Sequence, residues 1–217
     1  MKARVARHHV REEIQRRILS GESKPGERLS QQSLAKELGV AQGAVRESLL
    51  ELQWLGLVES VDHLGVFVGD LDVSRICEAY EIREVLEGMA ARLACNHAGR
   101  ADIAELRLMA DNIFQLAHED KAEEMGSLDR KLHFHIIELS RNGILLRLAE
   151  TYRVLGMTVR ASREPQIIHE EHLQIIEAIE HNSAEEAERI ARQHVAGARQ
   201  MIENQARLGK FVPKWVG

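Results

Sequence analysis

Proline is scarce in this chain, with three residues among 217, and aromatic side chains make up only 4%. With Leu, Ala, Glu and Arg abundant, that scarcity favours a mostly helical soluble protein. Cysteine is equally sparse: Cys77 and Cys95 lie 18 residues apart on what reads as one helix. A rise of about 1.5 Å per residue separates them by roughly 27 Å, so no disulfide joins them. No uninterrupted apolar run is long enough to cross a bilayer, and no signal-peptide core follows the basic N-terminus. The expectation is a cytoplasmic chain with no membrane partner. Internal repeats and low-complexity tracts are missing too, and the length suits one domain or two modest ones.

What charge there is lies unevenly. The net value is -5, but residues 1–50 carry ten Lys and Arg against six Glu, a local +4 that leaves -9 for the remainder. A basic end and an acidic end suggest two modules with different partners.

In the basic half, Val10, Ile14 and Ile18 recur at helical spacing among Arg11, Arg16 and Arg17. "SGESKPGERLS" breaks that helix through Gly21 and Pro25-Gly26. Ser30 can cap a short helix, "QQSLAKEL", which stops at Gly39. A second helix follows in "AQGAVRESLLELQWLGL", with Val45, Leu49 and Leu52 on one face, Arg46 on the other and Gly56 at its end. Two short helices around a glycine turn form a helix-turn-helix. "LVESVDHLGVFVGDL" then alternates apolar and polar residues about Asp62 to Gly65, as a hairpin does, and would be the wing.

Read together, the PGERL turn, LA followed by LGV, VRE, L-x-x-L-G-L-V and a glycine before V-F-V resemble the winged-helix domain of GntR-family bacterial transcription regulators. Residues 1–70 are assigned to this module. Its second helix would enter the major groove of double-stranded operator DNA, where Arg46 can reach a phosphate or guanine O6 and N7. Ser30, Gln32, Gln42 and Gly43 lie near helix starts, where side chains and backbone N–H groups meet phosphates or base edges. His63, Leu64 and Gly65 form the wing tip, which the resemblance directs to the minor groove. The chain departs from the family where S-R-T-P is replaced by "AQGA" and Glu-Arg by Gln31-Gln32. Those losses remove arginines, weaken phosphate attraction and shift base preference toward amide contacts.

Residues 71–217 read as helices only. One helix carries Ile76, Ala79, Ile82, Leu86, Met89 or Ala90, and Leu93 along one side, with Gly99 closing it. Further helices are expected over about 100–118, 121–140 and 143–162, then "REPQ" as a turn, then two helices joined at Asn182-Ser183. The fold class is therefore mainly α: an N-terminal winged helix-turn-helix followed by an all-helical bundle of about six helices.

Within that bundle, Asp129 and His133 are four residues apart and share a helix face. His172 and His194 stand at nearly equal distances either side of Asn182-Ser183, so antiparallel helices would bring them to one height. One carboxylate and three imidazoles without a thiolate suit a divalent metal ion: zinc first, with nickel or manganese as alternatives. A single histidine on such a face is more often a hydrogen-bonded core or surface group than a ligand, and His97, His118, His135, His169 and His181 are read that way. His135 is the chief competitor for the set.

Four segments, "YEIREVLEGMAARLA", "LDRKLHFHIIELSRNGILL", "EEHLQIIEAIEHNSAEEAE" and "RQHV", resemble the FCD effector domain of the FadR branch of GntR regulators, over residues 72–208. The resemblance implies metal binding by Asp129, His133, His172 and His194. It also implies that Arg83 faces the cavity and pairs with a small carboxylate metabolite, the competing reading being a surface ion pair with Glu87. Asn142 matches a family asparagine, which helix capping would also explain. The short interval from His133 to His172 points to the smaller six-helix version of the domain.

The expected function is a ligand-responsive regulator, a repressor, acting as a homodimer on a near-palindromic operator, and not an enzyme. One rival is a metal-dependent helical enzyme, for which Glu138 and Glu170 are the available bases. The other is a DNA-binding dimer with a purely structural metal.

Overall fold

The computed structural model describes residues 2–70, 72–156 and 163–211. The chain divides into two compact units between Asp72 and Val73.

The first unit contains α1 (Lys2–Leu19), β1 (Arg28–Leu29), α2 (Gln31–Leu38), α3 (Gln42–Trp54), β2 (Val58–Val61) and β3 (Gly65–Val68). Val10, Ile14 and Ile18 of α1 and Val45, Leu49 and Leu52 of α3 are all buried, and the two helices pack together. Ser30 caps α2 through its Oγ, which accepts from Ser33 N at 3.3 Å, and Gly39 ends the helix in the left-handed region at φ 66°. The β2–β3 hairpin pairs Val58 with Val68 and Val61 with Gly65. A hairpin alone was expected, but β1 adds a third strand on the far side of β3, in the order β1-β3-β2. Two residues are too few to display alternation, which hid this strand inside the PGERL turn.

The second unit comprises α4 (Val73–Ala94), α5 (Arg100–His118), α6 (Ala122–Leu139), α7 (Gly143–Gly156), α8 (Pro165–Glu180) and α9 (Ala184–Arg207). The expected extension of the fourth of these helices to residue 162 falls partly outside the described residues. Gly99 does not close α4, which ends at Ala94; it caps α5, its N–H donating to Asp102 Oδ2 at 2.7 Å. The turn expected at "REPQ" is not found: Arg163 and Glu164 are irregular backbone, and Pro165 already occupies the first turn of α8, where a missing N–H costs nothing. Long packing of α4 on α9, with α5 against α6 and α8, encloses a core that includes Leu106, Leu132, Ile136, Ile175, Ile176 and Ile179.

Most of the expected inward row of α4 is buried or packed on the core, at Ile76, Ala79, Leu86, Ala90 and Leu93, with two departures. Ile82 is 56% exposed and Met89 43%, whereas Tyr80, Glu87, Ala90, Ala91 and Ala94 are buried. Small residues are what let α9 approach: a Cβ on Gly88 would lie 2.4 Å from Arg192 Cγ and 3.2 Å from Glu188 O. Among the described residues no helix is long and apolar enough to cross a membrane.

Candidate DNA-binding surface and metal centre

Gln32, Gln42, Gly43, Arg46 and His63 are all exposed on the first unit. The Ala41 N-cap of α3 makes no side-chain cap hydrogen bond, and Ala44 N donates to Ala41 O at 3.0 Å. Ser30 also lies exposed at the start of α2, its oxygen engaged in the cap. In the wing turn, His63 takes φ 62° and Gly65 φ 115°, a conformation suited to glycine. Gly65 also leaves space for the Arg28 side chain, whose Nε would be 3.3 Å from an added Cβ. Leu64 is exposed beside them.

In the second unit, α6, α8 and α9 each deliver one buried histidine to the same point. His133, His172 and His194 offer ring nitrogens that all lie within 4.8 Å of one another. His133 Nε2 and His194 Nε2 stand 3.2 Å apart. Asp129 approaches from one turn before His133, with Oδ1 3.4 Å from His172 Nε2 and Oδ2 3.9 Å from His133 Nε2. The four residues singled out in the sequence thus meet. His172 and His194, placed at similar heights by the α8–α9 turn, have ring centroids 4.8 Å apart.

Carboxylates behind the histidines fix which nitrogen faces inward. Glu171 Oε2 lies 2.6 Å from His194 Nδ1, and Glu87 Oε2 lies 3.0 Å from His133 Nδ1, off the straight hydrogen-bond line. A carboxylate demands N–H at Nδ1, which leaves each Nε2 as a lone pair. Two lone pairs 3.2 Å apart repel unless a cation lies at their meeting point. A proton or a metal ion would serve. His172, fully buried, has neither ring nitrogen in a hydrogen bond among the described residues. Orphaned nitrogens of this kind are costly in a core, and ligation relieves one of them.

Electrostatics follow the same pattern. Burial drives His172 well below the ordinary histidine pKa, with the charges of His194 and His133 adding to it. Burial also lowers His194, against an opposing hydrogen bond to Glu171. His133 goes up, because Glu87 outweighs its burial. Burial raises the Glu171 carboxyl, but hydrogen bonds from His194 and Arg163 prevail and hold it at about 2. Glu87 is likewise held far below the carboxylate range by Arg83 and His133, despite its burial.

Sequence reasoning missed Glu87 and Glu171 as partners of the histidines. Only the adjacency of Glu171 to His172 hinted at it, and no spacing rule joins Glu171 to a histidine on another helix. Arg83 does pair with Glu87, Nε to Oε1 at 2.8 Å, yet inside the protein and not at the surface, and it lies 4.5 Å over the Tyr80 ring. Asn142 caps α7, Oδ1 accepting from Ile144 N and Leu145 N, each at 3.1 Å. His169 faces Asp111, His118 and His181 bond backbone carbonyls on their own helices, and His135 lies toward Glu105 and Glu138. Glu138 and Glu170 are exposed, the latter bonded to Gln166.

A winged helix-turn-helix linked to a helical bundle is the make-up of a DNA-binding regulator. Residues 6–68 match the bacterial regulatory proteins of the gntR family, and residues 78–197 match the FCD domain. The chain belongs to the GntR family of bacterial transcription regulators, in its FadR-like branch with an FCD domain. It is 31% identical over 181 residues to the Nta operon transcriptional regulator of Aminobacter aminovorans, covering 79% of this chain and 82% of that one. It is also 31% identical, over 86% of this chain and 84% of the other, to the "Probable D-xylose utilization operon transcriptional repressor" of Paenarthrobacter nicotinovorans. E. coli McbR/YncC shares the fold at a TM-score of 0.71 and 21% identity, over 93% of this chain and 98% of that one. The families and relatives matched are transcriptional regulators, not enzymes.

Proposed function

We propose that this regulator is a cytoplasmic homodimeric repressor whose helical domain holds a divalent metal ion and a small carboxylate effector. The convergence of three buried imidazoles with Asp129 carries the reading. His133, His172, His194 and Asp129 would hold the ion, an N3O set that suits zinc, with nickel or manganese also accommodated. When bound, the ion supplies a positive centre to which a carboxylate can attach, and Arg83, beside His133 through Glu87, adds a cation nearby.

Ser30, Gln32, Gln42, Gly43, Arg46, His63 and Gly65 would contact the operator, Arg46 in the major groove. The exposed row Ile82, Val85 and Met89 on α4 supports pairing with a second copy. The name of the Paenarthrobacter relative supports repression. Effector binding regulates only if the two arrangements of the winged domains bind it unequally.

The test is metal analysis of untagged protein, followed by operator affinity with and without metal and candidate acids. Metal content that vanishes in His172→Ala, with affinity shifting on addition of an acid, is expected. Affinity unchanged under every condition would reject sensing and leave a structural metal.

A further inference from the structure

Arg163 stands just ahead of α8, with its guanidinium directed at Glu171 and the α9 backbone. Nη1 donates to Glu171 Oε2 at 2.8 Å and approaches His194 O at 3.4 Å, while Nη2 donates to Glu171 Oε1 at 2.5 Å. The carboxylate is therefore gripped at both oxygens, a fork that only arginine makes. Its Oε2 simultaneously meets His194 Nδ1 at 2.6 Å. Arginine, carboxylate and imidazole form one chain ending at the nitrogen that faces His133.

The helix carrying His194 is shaped around that arginine. Gly197 lies three residues further along α9, where an added Cβ would stand 3.2 Å from Arg163 Nη2, 3.4 Å from Cζ and 3.6 Å from Nη1. Its φ is not positive, so no backbone conformation requires glycine there. A glycine inside a helix costs roughly 1 kcal/mol relative to alanine. The guanidinium occupies the space a side chain would fill.

We infer that Arg163 and Gly197 are positioning residues for the metal centre: Gly197 seats the Arg163 fork, the fork fixes Glu171, and Glu171 holds the His194 ring with Nε2 toward the shared point. This rests on the proposed metal reading. Neither residue is a ligand. His133 has a comparable chain through Glu87 and Arg83, but its Nδ1 contact is off-line, so His194 is the more firmly aimed of the two. Loss of the fork would leave Glu171 free to rotate and the ring free to present either nitrogen, and outer partners of this type typically contribute 10- to 100-fold to metal affinity.

Zinc ion itself is the probe, titrated into the full chain against a chelator of known affinity. Arg163→Gln and Gly197→Ala should each bind zinc about 10- to 100-fold more weakly than the unaltered protein, and Arg163→Lys, with the charge but not the fork, should fall between. Melting of metal-free and zinc-loaded samples separates positioning from plain stability: the zinc-induced rise in Tm should shrink in the variants. If the variants melt lower without metal yet bind zinc as tightly as the unaltered protein, the inference is overturned. Should Gly197→Ala fail to fold, the Gln and Lys variants at Arg163 still decide. Failure of the unaltered protein to bind zinc would remove the metal reading and this inference with it, whereas tight binding indifferent to Arg163 removes the inference alone.

Discussion

Glu87 shows how much one buried carboxylate carries. It is the shared partner of Arg83 and His133, and both neighbours are themselves nearly out of solvent. Glu87→Ala would remove the carboxylate of a buried ion pair, which costs about 3–5 kcal/mol and would register as a lower denaturation midpoint, while the near-isosteric Glu87→Gln should cost less. Glu171 adds a pH signature. Its folded carboxyl sits at about 2 against an ordinary 4.5, so its ion pair stabilises the metal-free protein above about 4.5 and is lost as pH falls toward 2. Acid unfolding followed across that window should lose part of its slope in Glu171→Gln. The convergence of Asp129, His133, His172 and His194 was legible from helical spacing and a symmetric turn taken together with the resemblance to the FCD domain. The carboxylates behind them were not, since each reaches a histidine on a different helix and sequence distance says nothing of such contacts.

Helix boundaries were legible at Ser30 and Gly39 around α2, whereas Gly99 was read as the end of α4 and in fact caps the start of α5. On α4 the expected row held at Ile76, Ala79, Leu86, Ala90 and Leu93 and failed at Ile82 and Met89, which are exposed, while Glu87, Gly88, Ala91 and Ala94 are buried beside it. Apolar periodicity does not reveal a buried carboxylate or a glycine contact. The packing of α4 on α9 depends on that glycine: Gly88→Ala forces a Cβ against Arg192 Cγ and the Glu188 carbonyl. Overpacking of this order costs about 1–3 kcal/mol, and calorimetry should show a reduced Tm despite the better helix propensity of alanine.

At the scale of the whole molecule, the chain divides into two compact units, one with an exposed helix-turn-helix and one with the histidine cluster. The exposed row on α4 gives the dimer proposal a direct check: Val85→Glu should shift sedimentation toward the monomer and weaken operator binding, since a single winged domain grips only half a site. The α8–α9 hairpin has a further consequence. Its short turn at Asn182-Ser183 sets two nitrogen donors side by side through contacts close in sequence, at little loop-closure cost. Asp129 and His133 must come from an earlier helix. Two of the four groups are thus paired by a contact local in sequence, and only the other two depend on packing between distant helices.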